Sequence, residues 1–136
     1  MAKFALTDAS LVLNSVDLSD HVKSIDLATS MAELQTTAMG ASWTTIIGGL
    51  QSFALGVTFQ QDFAANEVDA TLWAAMTGTP VTAVVKPTSG AVASTNPSFT
   101  GSVLVNDYKP VTGSVGDLAE VSVNWPGSST LTRATS

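Results

Sequence analysis

The sequence predicts a mainly β domain: a β-sandwich or barrel with one short flanking helix and a long uncharged loop. Three observations predict it. First, the run Phe53 to Gln60 alternates strictly, with Phe53, Leu55, Val57 and Phe59 on one face and Ala54, Gly56, Thr58 and Gln60 on the other, the period of a half-buried strand. Second, further short runs alternate in the same way and are separated by Gly, Asn, Ser and Pro turn residues. Third, a single segment has helical spacing, so the βαβ rhythm of a parallel sheet is absent.

In chain order, "SLVLNSVDLSDHV" places Leu11 and Leu13 on one phase and turns around Asn14–Asp17. It predicts a hairpin with "HVKSIDLATS", whose alternation is imperfect. Residues 36–51, "TTAMGASWTTIIGGLQ", hold no charge, carry Met39, Trp43, Ile46 and Ile47, and are punctuated by Gly40, Gly48 and Gly49, which suits a loop. The Phe53–Gln60 strand follows. Residues 66–76 read as a helix: Asn66 can cap it, and Glu67 and Asp69 sit in its first turn, where carboxylates favour the free N–H groups. Val68, Leu72, Trp73 and Met76 form its expected packing stripe, and Thr77-Gly78 ends it. "TPVTAVVK" reads as a strand with Pro80 at its start. "SGAVASTNPS" reads as a loop. "SFTGSVLVNDY" puts Phe99, Gly101, Val103 and Val105 on one face, and "DLAEVSVNW" points Val121, Val123 and Trp125 inward. Residues 127–136 hold no apolar anchor beyond Leu131 and read as a tail that frays or lies on a neighbour. The count is about six strands and one helix, in a single domain over residues 1–136.

Composition narrows the function. Apolar content is ordinary at 45%, but charged residues are only 12%, against roughly 25% in an average soluble domain. Ser, Thr, Gly and Ala take their place. Since charge is depleted at interface centres, this points to a surface that lies against other protein. The net charge is −6 and the five basic residues are scattered, so no basic patch for nucleic acid is present. There is no Cys, which excludes disulfides and thiolate metal sites and fits a reducing compartment. Neither a secretory signal nor a membrane-length apolar run is expected.

Candidate chemistry is sparse. His21 is the only histidine; in "SDH" three consecutive residues cannot form a triad among themselves, no GxSxG elbow exists, and an ordinary turn or strand-edge histidine is the expectation. Asp62, Glu67 and Asp69 cluster near the helix start and lack the ligand spacing of a calcium loop, so capping is preferred to metal. "GSVGD", Gly113 to Asp117, has no Lys and no following helix, so it reads as a turn and not as a phosphate loop. Trp73 is assigned to the helix stripe and Trp125 to core or rim. Trp43 either folds onto its own sheet or docks on another subunit. Stacking on a sugar is a third use, for which coplanar aromatic partners are wanting.

A strand-rich, charge-poor chain without catalytic groups suits assembly: edge strands pair with neighbours, and head-to-tail contacts make rings or filaments. The ordered runs "NSVDLSDHVKSIDL", "ELQTTAMG", "TTIIGGLQSFALGVTFQQDF", "VDATLW" and "NPSFTGSVLVNDYKPVTGSVGDLAEVSVNWPGS" resemble the major tail tube proteins of long-tailed, siphovirus-type phages, with the greatest similarity to those of phages infecting actinobacteria. The resemblance implies a β-sandwich of the phage tail-tube type with a flanking helix. It implies hexameric rings stacked into a tube, with inner strands of six subunits joined into a barrel whose lumen conducts DNA into the host without specific binding. It implies tape measure and tail terminator proteins as partners, no cofactor, no enzymatic activity, and a location in the virion tail after assembly in the host cytoplasm. It also implies a contact role for the long loop, here matched to Thr37, Met39, Trp43, Thr45, Ile46, Ile47 and Leu50. A lumen that does not grip DNA should carry more carboxylates than basic groups. The alternatives are a ring-forming tail-terminator or head–tail connector subunit that does not polymerise, and a monomeric carbohydrate-binding module.

Overall fold

A computed structural model describes residues 3–136. Two antiparallel sheets face each other. The larger has the order β2-β1-β5-β6-β8 and the smaller β3-β4-β7. The strands are β1 (Ser10–Leu13), β2 (Val16–Asp17), β3 (Val22–Gln35), β4 (Ile46–Gln60), β5 (Val81–Lys86), β6 (Ser98–Val103), β7 (Glu120–Pro126) and β8 (Thr132–Ala134), with a 3-10 turn at Ser19–His21 and one α-helix, α1 (Val68–Ala75). Leu11, Leu13, Ala83, Val85 and Val103 of the larger sheet pack with Phe53, Leu55, Val57, Phe59, Val121, Val123 and Trp125 of the smaller, and α1 adds Val68, Leu72 and Ala75. The alternation read from β4 and β7 is the alternation observed.

The first hairpin differs from expectation. β1 pairs with the two-residue β2, Leu13 opposite Val16, around Asn14 and Ser15. Both turn residues have positive φ, 51° and 69°, the geometry that matches strand twist in a two-residue turn. "VKSIDLATS" does not return beside β1. The Leu18 side chain is fully buried and its N–H donates to the Leu11 carbonyl, while Ser19 Oγ accepts from the Leu11 N–H. The chain is thereby tied off at the sheet end, and the 3-10 turn carries it across to the smaller sheet, where β3 pairs with β4.

The helix is shorter than residues 66–76 and turned about its axis. Glu67 takes the cap position without a side-chain cap bond, and Asn66 sits at φ 63°, so the expected Asn66 cap is not made. Val68, Thr71, Leu72 and Ala75 are buried, whereas Trp73 is 68% and Met76 40% exposed. At about 100° per residue Trp73 lies about 140° round from Val68, off the packing face, and Met76 about 80°. Val68 and Leu72 keep their packing role; Trp73 and Met76 lose it. Thr71 and Ala75 take their places on the packed face of the helix. Gly78, at φ 84°, turns the chain after the helix.

The C-terminal segment is not a free tail. Leu131 is half-buried, and β8 pairs with β6, Phe99 opposite Arg133. Gly101 and Gly127 flank this corner, and both leave room for the Phe53 ring; a Cβ on Gly101 would stand 2.7 Å from Phe53 Cζ.

Candidate functional site

The most distinctive part of the molecule is an arm. β3 and β4 keep pairing past the core, from Ser30–Ser52 to Gln35–Ile46, about 17 Å at the usual rise per residue. No residue from Ala28 to Ser52 is buried. The expected loop over residues 36–51 is therefore corrected: only residues 36–45 form a connection, and Ile46, Ile47 and Leu50 belong to β4. Gly48 and Gly49 misled because they sit inside a strand. A Cβ on Gly48 would collide with the Met31 side chain, and one on Gly49 would press Leu34 Cγ at 3.2 Å. Each glycine gives an apolar side chain of β3 a bare stretch of backbone to lie on.

The tip is braced internally. The Thr36 N–H donates to the Thr45 carbonyl at 2.8 Å, the Thr45 N–H donates to Thr37 Oγ1 at 2.9 Å, and Thr36 and Thr45 hydroxyls meet at 2.7 Å. Thr37 and Thr45 thus shape the tip. Met39 and Trp43 project from it, Trp43 at 85% exposure, so Trp43 does not fold back onto its own sheet. Ile46, Ile47 and Leu50 are exposed along the arm, as are Met31 and Leu34, which lie on β3 ahead of residues 36–51 and so outside the expected contact set. Leu34 stands opposite Ile47, so the two form one apolar step on one face of the ribbon.

The smaller sheet has two free edges, β3 and β7. Its outward face is made of small polar residues: Gly56 lies between Asp26 and Asn124, and Thr58 meets Ser122 across a 3.1 Å hydroxyl contact. Lys23 reaches Glu120 at 2.9 Å across this face. That leaves Asp26 as the carboxylate without an ion-pair partner there among the described residues. On the core side of the β3 edge a shallow apolar groove opens between the sheets, lined by Leu6, Ile25, Leu27, Val85, Phe99 and Leu131.

The expected carboxylate cluster is present, with each acid given a protein partner. His21 Nε2 meets Asp62 Oδ2 at 2.9 Å, and Nδ1 meets Asp20 Oδ1 at 2.8 Å and Glu67 Oε2 at 3.4 Å. Burial pushes the imidazole pKa down, but the hydrogen bonds of Asp62 and Asp20 and the charges of Asp20 and Glu67 outweigh it, and the net shift is upward. The Asp62 carboxyl is held below its ordinary value by the Ala64 N–H and by His21. Asp69 accepts from the Tyr108 hydroxyl, which also takes a bond from Gln61 Nε2 at 3.1 Å. Burial, then the Asp69 bond, pushes the Tyr108 pKa up to about 12, so this phenol stays protonated and donates. Tyr108→Phe is expected to cost about 1–3 kcal/mol of stability by leaving Asp69 unpaired, seen as a lowered urea midpoint at unchanged slope. His21 and Ser19 share the 3-10 turn without bonding each other; Ser19 Oγ is engaged by Ser10, Leu11 and Asp17. The "GSVGD" segment is a turn, with the Asp117 N–H on the Ser114 carbonyl.

No family model and no curated protein matches the chain. Solved structures do. A chain from the virion of a native gene transfer agent particle superposes with a TM-score of 0.72 at 15% identity, covering 93% of this chain and 95% of the other. A chain from the tail of an empty gene transfer agent particle, resolved with sixfold helical symmetry, gives 0.62 at 12% identity over 82% of this chain and 81% of the other. This chain therefore shares the fold of chains found in a phage-like virion and tail, and the expected mainly β tail-type architecture is the architecture present.

Proposed function

We propose that this chain is a structural, non-enzymatic subunit of a phage-type tail tube. Six copies close a ring, and rings stack into a tube whose lumen passes DNA. The observation that carries this reading is the arm: a two-stranded ribbon is marginal in water on its own, and this one exposes Met31, Leu34, Ile46, Ile47 and Leu50 along its length and Trp43 at its tip. Each large apolar side chain gains about 1.5–3 kcal/mol on full burial, so cover from other copies stabilises the arm where its own subunit does not. The fold shared with chains of a virion and of a sixfold tail supports the same reading.

Closure of the ring uses the two free edges. The β3 edge of one copy pairs with the β7 edge of the next, which continues the smaller sheet around the ring and brings the neighbour over the apolar groove beside Ile25 and Leu27. The small polar face then lines the lumen. Its charged residues are Asp26, Glu120 and Lys23, two acids against one base, so the bore is weakly negative and built from short side chains. The one cation, Lys23, is held by Glu120, so DNA meets no unpaired cation to displace its counterions and mostly short side chains. The tube is part of the virion tail, and its ends meet other tail proteins such as a tape measure and a terminator.

Electron microscopy of concentrated purified protein tests the reading. Long hollow tubes with sixfold rings are expected. Isolated rings that never stack would assign the chain to a terminator or connector role, and a persistent monomer that binds an oligosaccharide would assign it to carbohydrate recognition. The lumen assignment has its own test. Asp26→Lys turns the net charge of this face from −1 to +1 per subunit, and the variant tubes are expected to retain linear DNA in a salt-sensitive manner that wild-type tubes do not show. Tubes of Asp26→Lys that ignore DNA at low salt would move this face off the bore.

A further inference from the structure

The His21 cluster joins two segments far apart in the chain. His21 and Asp20 belong to the 3-10 turn at the head of β3, while Asp62 and Glu67 belong to the connection from β4 into α1. We infer that this cluster is a proton-operated latch: doubly protonated His21 ties the β4–α1 connection to the head of β3, and loss of one ring proton releases it.

The argument is one of donors and charges. A neutral imidazole has a single N–H and one bare nitrogen. Here Nε2 faces Asp62 and Nδ1 faces both Asp20 and Glu67. Only the imidazolium donates on both sides. After deprotonation one ring nitrogen turns a lone pair toward a carboxylate, and three acids remain together without a cation. The groups facing the ring are Asp20 from its own turn and Asp62 and Glu67 from the opposite connection; Lys23, two residues along, is engaged with Glu120, and Asp69 with Tyr108. The His21 side chain is only 16% exposed and Asp62 and Glu67 are about one third exposed, so water shields these two contacts less than it would an open surface pair; Asp20 is open to solvent and contributes less.

Release would travel into the helix through the backbone. Asp62 Oδ1 accepts the Ala64 N–H, and the Asp62 carbonyl accepts the Asp69 N–H of the first helical turn. Freeing the Asp62 side chain from His21 loosens both. Phe63, Trp73 and Met76 are the exposed apolar groups carried by this unit, so the latch governs how rigidly they are presented.

The sign follows from linkage. The folded-state pKa of His21 is raised, so its contribution is fully present below the unfolded value, about 6.5, and is lost as the pH rises through the folded value. Because His21 is the only histidine, its ring signals in a two-dimensional NMR titration of the monomer need no assignment. The expected result is titration above 6.5, with hydrogen exchange of residues 62–69, corrected for intrinsic rate, accelerating on the order of tenfold between the latched and released limits. His21→Gln should show the fast, released rate at both ends of the range. Titration at or below 6.5, or an equal pH response in His21→Gln, overturns the latch. The wild-type titration decides alone if the variant fails to fold.

Discussion

Trp125→Ala is expected to remove about 3–5 kcal/mol of folding stability. Trp125 is the largest fully buried side chain of the molecule, and its ring lies 6.4 Å from that of Phe59. Its indole N–H donates to the Asp107 carbonyl at 3.0 Å, tying the irregular segment after β6 to the end of β7. Truncation opens a cavity between the sheets and leaves that carbonyl without its donor. A domain of this kind has about 5–15 kcal/mol in total, so the variant should unfold at far lower urea, read by circular dichroism. Trp125→Phe should cost less, since it keeps most of the ring volume and loses the N–H. A loss below about 1 kcal/mol for Trp125→Ala would mean that the two sheets do not share one core at this position.

The second large effect falls on assembly. Leu34→Asp combined with Ile47→Asp places two like charges opposite each other on the arm. Both positions are at least half exposed in the subunit, 50% and 56%, so the fold of the isolated chain should survive, with a urea midpoint close to wild type. Buried against another copy, the same pair would bring two unpaired like charges out of water, at a cost of several kcal/mol per ion. Tube formation should therefore stop. Trp43→Ala should weaken it more mildly, with little effect on the subunit. If the double variant polymerises normally, the arm is not a contact.

The readable parts of the sequence were the strands covered on one side only. β4 from Phe53 onward and β7 face the core with one surface and solvent with the other, so alternation and burial coincide. β3 was harder. Its register slips between Val22 and Ser24 and again between Met31 and Glu33, and beyond Leu27 nothing in its own subunit covers it. An edge strand that leaves its subunit has no reason to alternate for an internal core. The same cause hides the extent of the arm: Ile46, Ile47 and Leu50 are exposed apolar residues interrupted by two glycines, so no alternation marks them as a strand. The partner of β1 was missed because a two-residue strand has no periodicity to detect. The helix was located but turned, since bulk drew attention to Trp73 while the i, i+3, i+4, i+7 set of Val68, Thr71, Leu72 and Ala75 marked the packed face. The His21 cluster joins residues 41 and 46 positions apart, and only the fold brings them together.

All of these readings meet in the claim that other copies of this chain cover the arm. Hydrogen exchange of residues 29–52, compared between dilute subunit and concentrated assembly, tests it most directly. An isolated ribbon opens readily, so exchange should be fast in the dilute sample and strongly slowed in the assembled one. Equal protection in the two states would contradict the account.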